Sequence, residues 1–146
     1  MKRSRVVFTH HRIMNATQVM ETWDAAVADL NIQRILTLYA PDCELESPLV
    51  FHLTEGRTGI LRGHAELERF IRMVAERQPA GRRHHRGKCF TDGTRIMWEY
   101  PRETPEGDQI DLAEVMDLTE DGLIRRHRVY WGWSGMQILL TDAYHR

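Results

Sequence analysis

The chain has 146 residues, the length of one domain, with 42% hydrophobic and 28% charged side chains, an ordinary globular balance. Twenty basic against 21 acidic residues leave a formal charge of −1, which supplies no overall attraction to nucleic acid or an anionic membrane. No apolar run approaches the roughly 18 residues that span a bilayer. The basic segment Met1–Met14 has no apolar stretch of the secretory kind. Cys43 and Cys89 form neither a CxxC pair nor a zinc spacing. These features lead us to expect a cytoplasmic protein with reduced thiols, no metal, no membrane contact and no nucleic-acid partner.

Residues 1–14 show no period and are expected to form a mobile tail ahead of a single domain over 15–146. Val19, Trp23, Val27 and Leu30 recur at helical steps, and either Asn15 with Gln18 three residues later or Thr17 is expected to cap the start. A second helix is expected over 31–40, opened by Asn31, carrying Ile32, Ile35, Leu36 and Tyr39 on one face and stopped by Pro41. Over 42–50 the pattern alternates: Cys43, Leu45 and Ser47 share one face of a strand and Glu44 and Glu46 the other, with an end or a bulge at Pro48. Residues 54–63 read as a loop. Leu67, Phe70, Ile71 and Val74 make the apolar stripe of a third helix over 64–77. Beyond residue 82 the period becomes two. Strands are expected at 82–91, 94–104, 109–119 and 123–133, joined by turns at Asp92-Gly93, 105–108 and Asp121-Gly122, with a short apolar helix or tail at 135–144. Helices early and an antiparallel meander late give an α+β fold, three N-terminal helices covering one face of a curved, mostly antiparallel sheet.

This layout resembles the nuclear transport factor 2-like superfamily. The segments LTLYAPDCELESP (36–48), GHAELERFI (63–71) and VMDLTEDGLIRRHRVYWGW (115–133) are similar to its strand entry, third helix and closing hairpin. WEYPRETPEG and VYWGW look most like its SnoaL-like branch. The resemblance covers about residues 15–140. It implies a cone enclosing a small-molecule cavity and frequent pairing of two chains through their sheets; no cofactor is expected.

Parity identifies the cavity face. On the last hairpin Leu112, Glu114, Met116 and Leu118 share one side. With an Asp121-Gly122 turn, Glu114 opposes Val129 and Met116 opposes His127. With a Glu120-Asp121 turn, Glu114 opposes His127 directly. Both registers bring Glu114, His127, Val129 and Trp131 to one face, with Glu114 within reach of His127. Aligned with the ketosteroid isomerases of the superfamily, Glu114 matches their protonated aspartate, Trp23 their catalytic tyrosine and Ser47 their general-base aspartate. Serine cannot act as that base, which argues against ketosteroid isomerase chemistry.

Glu114 and His127 are therefore the candidate acid–base pair, because a carboxyl among apolar neighbours needs a partner or a task. The plainer alternative is a structural pair. Trp23, Ser47, Trp98, Tyr100, Met116, Val129 and Trp131 are the candidate ligand contacts, with core packing as the alternative for the aromatics. RRHHRGK (82–88) reads as a solvated strand, because alternation splits its basic residues between two faces. The outward residues Met97, Ala113, Val115 and Tyr130 point to a homodimer. Three functions fit these features: a cofactor-free isomerase, cyclase or hydrolase of an apolar oxygenated substrate, a non-catalytic ligand-binding module, or a dimerisation domain.

Overall fold

A computed structural model describes residues 13–54, 58–77, 88–103 and 109–141. The element order is α1 (Ala16–Ala28), α2 (Ile32–Leu36), β1 (Tyr39–Glu46), α3 (Pro48–Thr54), β2 (Ile60–Arg62), α4 (Gly63–Glu76), β3 (Cys89–Thr91), β4 (Arg95–Glu103), β5 (Gln109–Leu118), β6 (Ile124–Trp131) and α5 (Trp133–Leu140). The strands form one open sheet in the order β2-β1-β6-β5-β4-β3. Among the described strands only the β1–β6 contact is parallel; every other neighbouring pair is antiparallel.

Local chemistry accounts for the helix starts. Asn15 Oδ1 accepts the Gln18 N–H at 2.9 Å, and Gln18 Oε1 accepts the Asn15 N–H at 3.0 Å, so α1 opens on the expected capping box. Asn31 caps α2 by accepting from the Arg34 N–H at 3.0 Å. The second helix is shorter than its periodicity suggests. It ends at Leu36, and Tyr39 begins β1, where Leu38 accepts a hydrogen bond from the Ile124 N–H and Tyr39 pairs with Ile124. Pairing with β6 outweighs helix propensity here. Pro41 does not stop a helix; it sits exposed in β1 where the β1–β6 register shifts, so its missing N–H costs no ladder bond. The expected loop over 54–63 also resolves differently. Ser47 and Pro48 act as cap and first residue of α3, with Ser47 Oγ accepting the Leu49 N–H at 3.2 Å. β2 then forms a three-residue edge against β1. Met14, assigned to the tail, packs against the core and accepts from Thr22 Oγ1 through its sulfur at 3.8 Å. Residues 1–12, and 82–87 of the basic strand, lie outside the described residues.

The β5–β6 hairpin fixes the site. Its turn spans Glu120–Gly122, one residue longer than a two-residue turn. Gly122 takes φ +77°, and the Leu118–Ile124 register shifts against the rest of the ladder. This bulge offsets the longer turn. The register that places Glu114 opposite Val129 and Met116 opposite His127 is the result. The inner sheet face packs on α1, α2 and α4 in one cluster that includes Val19, Ile35, Leu67, Ile96, Trp98, Leu112 and Met116, and Ile138 and Leu139 of α5 join it. Each such fully buried large side chain contributes about 1.5–3 kcal/mol. The outward face of β1 and β6 carries Glu44 and Glu46 paired with Arg62 and Arg126, exposed ion pairs worth little.

Candidate active site

Glu114 and His127 are each about 1% exposed. They are cross-strand diagonal neighbours on β5 and β6, and their side chains meet: His127 Nε2 is hydrogen-bonded to Glu114 Oε2. On the other edge of the imidazole, His127 Nδ1 lies 2.7 Å from the Tyr39 hydroxyl. That hydroxyl accepts the indole N–H of Trp23 at 3.0 Å. Trp23 also packs edge-on against His127, ring centroids 5.5 Å apart at 84°, and against Trp98 at 5.5 Å and 61°. One hydrogen-bonded chain thus runs from α1 through the start of β1 to β6 and β5.

The proton logic follows from the donors. Trp23 can only donate, so it occupies one lone pair of the Tyr39 oxygen. When Tyr39 donates to Nδ1, the imidazole proton sits on Nε2 and faces the Glu114 carboxylate. When Glu114 carries a proton, Nε2 accepts it and the Nδ1–H turns to the Tyr39 oxygen. The chain can therefore hold or release one proton with both imidazole nitrogens hydrogen-bonded in either state. An isolated carboxylate at this depth would cost several kcal/mol.

A pocket of about 110 Å³ lies over this pair. Its floor is Leu45, Leu112, Glu114, His127, Val129 and Trp131 on the sheet. Its walls come from Trp23, Val27 and Leu30 at the end of α1, Leu67, Phe70, Ile71 and Val74 on α4, and Ser47 with Leu49 at the head of α3. The lining is apolar except at Tyr39, Ser47, Glu114 and His127. Ser47 is 4% exposed and is held through its backbone by Gly59 and Val50.

Of the residues expected at the site, Glu114, His127, Trp23, Ser47, Val129 and Trp131 line this pocket. Trp98 and Met116 do not. They are on the expected face but packed into the core, 1% and 0% exposed. The side chain of Tyr100 lies outside the described residues; its backbone pairs with Leu112. Tyr39, expected on the second helix, lies instead in β1, where its hydroxyl meets the His127 ring. No local alternation marks it, because Pro41, of the same parity, is exposed where the β1–β6 register shifts. Among the described residues no group of three or more His, Cys, Asp or Glu side chains is placed to hold a metal, and no helix is long and apolar enough to cross a membrane.

The SnoaL-like domain model matches residues 19–127. The chain belongs to the SnoaL-like family. No curated protein matches it in sequence. Its fold is similar to that of TerC co-crystallised with polyporic acid, at TM-score 0.69 and 19% identity over 89% of this chain and 98% of that one. It is also similar to a nuclear transport factor 2-like protein of unknown function from Burkholderia pseudomallei, at 0.68 and 20% over 84% and 93%. SalBIII, an epoxide hydrolase/cyclase-like enzyme of pyran ring formation in the polyether salinomycin, aligns at 0.63 and 16% over 82% and 92%. These likenesses place the chain in the α+β, cystatin-like fold of the superfamily.

Proposed function

We propose that this SnoaL-like domain binds a small, mostly apolar, oxygenated molecule and exchanges a proton with it through Glu114 and His127, in an isomerase-, cyclase- or hydrolase-type reaction that these side chains perform without a cofactor. The observation that carries this reading is the Glu114–His127 pair, about 1% exposed, on the floor of an otherwise apolar pocket. A purely structural pair has no need of an adjoining empty volume. Desolvation there strengthens any hydrogen bond offered to a developing charge on the ligand.

Each residue has a part. Glu114 gives or takes the proton. His127 holds the carboxyl in place and shares its charge. Tyr39, fixed by Trp23, sets which imidazole nitrogen carries hydrogen and so acts as a positioning residue. Val129, Trp131 and Trp23 provide apolar contact, and Ser47 offers a hydroxyl to a ligand oxygen. At about 110 Å³ the pocket is smaller than the dry cavity of about 150 Å³ that accepts benzene, so its enclosed part suits at most about one ring.

The assembly we propose is a homodimer through the outward sheet face, where Phe90, Met97 and Tyr130 are 63%, 47% and 53% exposed and Met97 pairs with both Phe90 and Val115. A cytoplasmic setting fits Cys43 and Cys89, which no disulfide joins.

The test is deuterium incorporation into cyclohex-2-enone in D2O, followed by mass spectrometry, with a single-ring epoxide in parallel. The wild type is expected to accelerate exchange or ring opening over buffer, and Glu114→Gln to bind the same compounds without acceleration. Wild-type binding with no acceleration of either reaction contradicts catalysis and leaves the binding module.

A further inference from the structure

Helix α1 closes on a residue that works against its own stability. The Leu30 N–H donates to the Val27 carbonyl at 3.1 Å and the Asn31 N–H to the Ala26 carbonyl at 2.9 Å. These are the paired bonds by which a helix ends on a left-handed residue. That residue is Leu30, at φ +51°, the one non-glycine residue with positive φ among the described residues. Glycine is the usual occupant of such a position, because a Cβ there crowds the following carbonyl. A leucine persists in this conformation when its surroundings require its side chain.

The side chain has a location that supplies the requirement. Leu30 lines the pocket and is 42% exposed, whereas Leu112, Glu114 and His127 on the floor are about 1% exposed. It therefore stands where the pocket meets solvent. Val27, Ile71, Val74 and Ala75, all half-buried, complete this rim between the end of α1 and the last turns of α4. Among the described residues the rim is wholly apolar.

We propose that Leu30 is the specificity-determining residue of the mouth: its side chain narrows the entrance so that a single-ring ligand passes and a fused bicyclic one is refused. This rests on the reading of the pocket as a ligand site. The left-handed turn aims the side chain at the mouth, and the turn's strain is the cost of keeping leucine there.

The experiment compares the wild type with Leu30→Ala and Leu30→Gly, using phenol by calorimetry and 1-naphthol by calorimetry and fluorescence stopped flow. Both substitutions remove the same obstruction, but alanine keeps the backbone strain and glycine relieves it. Leu30→Gly is therefore expected to melt roughly 2–4 °C above Leu30→Ala. Both variants are expected to bind 1-naphthol about tenfold or more tighter than the wild type, while phenol affinity stays within about threefold. Because the two variants differ in stability but agree in binding, a merely structural role cannot produce this pattern. Unchanged 1-naphthol binding, or binding that follows melting temperature, overturns the proposal while phenol binding by the wild type sustains the pocket. Equal melting of the two variants removes its strain premise and overturns it as well. Failure of all three proteins to bind either probe overturns the ligand-site reading and this inference with it.

Discussion

Tyr39→Phe removes one oxygen from the middle of the chain that links Trp23 to Glu114. Phenylalanine fills nearly the same volume, so the packing loss is small, and the effect is carried by hydrogen bonds. The Trp23 indole N–H loses an acceptor at 3.0 Å and His127 Nδ1 loses a partner at 2.7 Å, both in buried surroundings. Stranding a buried polar group costs about 1–3 kcal/mol, so the two together predict a destabilisation of about 2–6 kcal/mol. Tyr130→Phe is the control, because Tyr130 is 53% exposed and a surface change of this kind stays within about 0.5 kcal/mol. Urea unfolding followed by circular dichroism reads both, with unchanged slope as the condition for comparing midpoints. Combining Tyr39→Phe with Trp23→Phe should give less than the sum of the single losses, because the second substitution removes the stranded donor. A Tyr39→Phe loss below about 0.5 kcal/mol would refute the claim that this hydroxyl ties α1 to the acid–base pair.

Three further outcomes are expected. The backbone N–H groups of Thr94 and Arg95 hold the Asp92 carboxyl below its ordinary value of 3.8. Its contribution to stability is therefore complete above that value and lost as pH falls through the lowered one, so the wild type should exceed Asp92→Asn in thermal stability at pH 7 and converge with it in strong acid; a pH-independent difference speaks against the assignment. Burial pushes the Cys43 thiol up from its ordinary value, and iodoacetamide at neutral pH is expected to label Cys89 well before Cys43 in the folded protein, with equal labelling in urea; early Cys43 modification contradicts its burial. Met97→Glu, which places a charge on the outward sheet face, should turn a dimer in analytical ultracentrifugation into a monomer while preserving the circular dichroism spectrum. A wild type that sediments as a monomer at micromolar concentration removes the proposed interface.

What the sequence made legible was local or periodic. Asn15 and Gln18 announced the start of α1 because a capping box is a contact between residues three apart. Alternation along 109–131 was enough to put Glu114 and His127 on one face, and the side chains meet there. The bulge beside Ile124 has no local signal; it offsets the longer turn and selects the first of the two registers that the pattern leaves open. Tyr39 was hidden because its spacing from Ile35 and Leu36 is helical. What makes it a strand residue is parallel pairing with Ile124, 85 positions away in the chain, and no local pattern records that contact. Trp98 and Met116 show the limit of parity. It assigns a side chain to a face, but whether the residue borders a pocket or lies in the packed core depends on which helix sits above it. Ser47-Pro48 carried a helix-start signature, a capping hydroxyl before proline, that the preceding strand pattern masked.

The central claim is that a ligand in the pocket reaches the Glu114–His127 pair. Nitrogen-15 resonances of the histidine side chains, with the His127 signals assigned by their loss in His127→Gln, measure this most directly during titration with phenol. The account predicts a saturable shift of both His127 ring nitrogens with the dissociation constant found by calorimetry, and smaller shifts at His52 and His64, which do not line the pocket. Phenol binding that leaves the His127 resonances unmoved would contradict it.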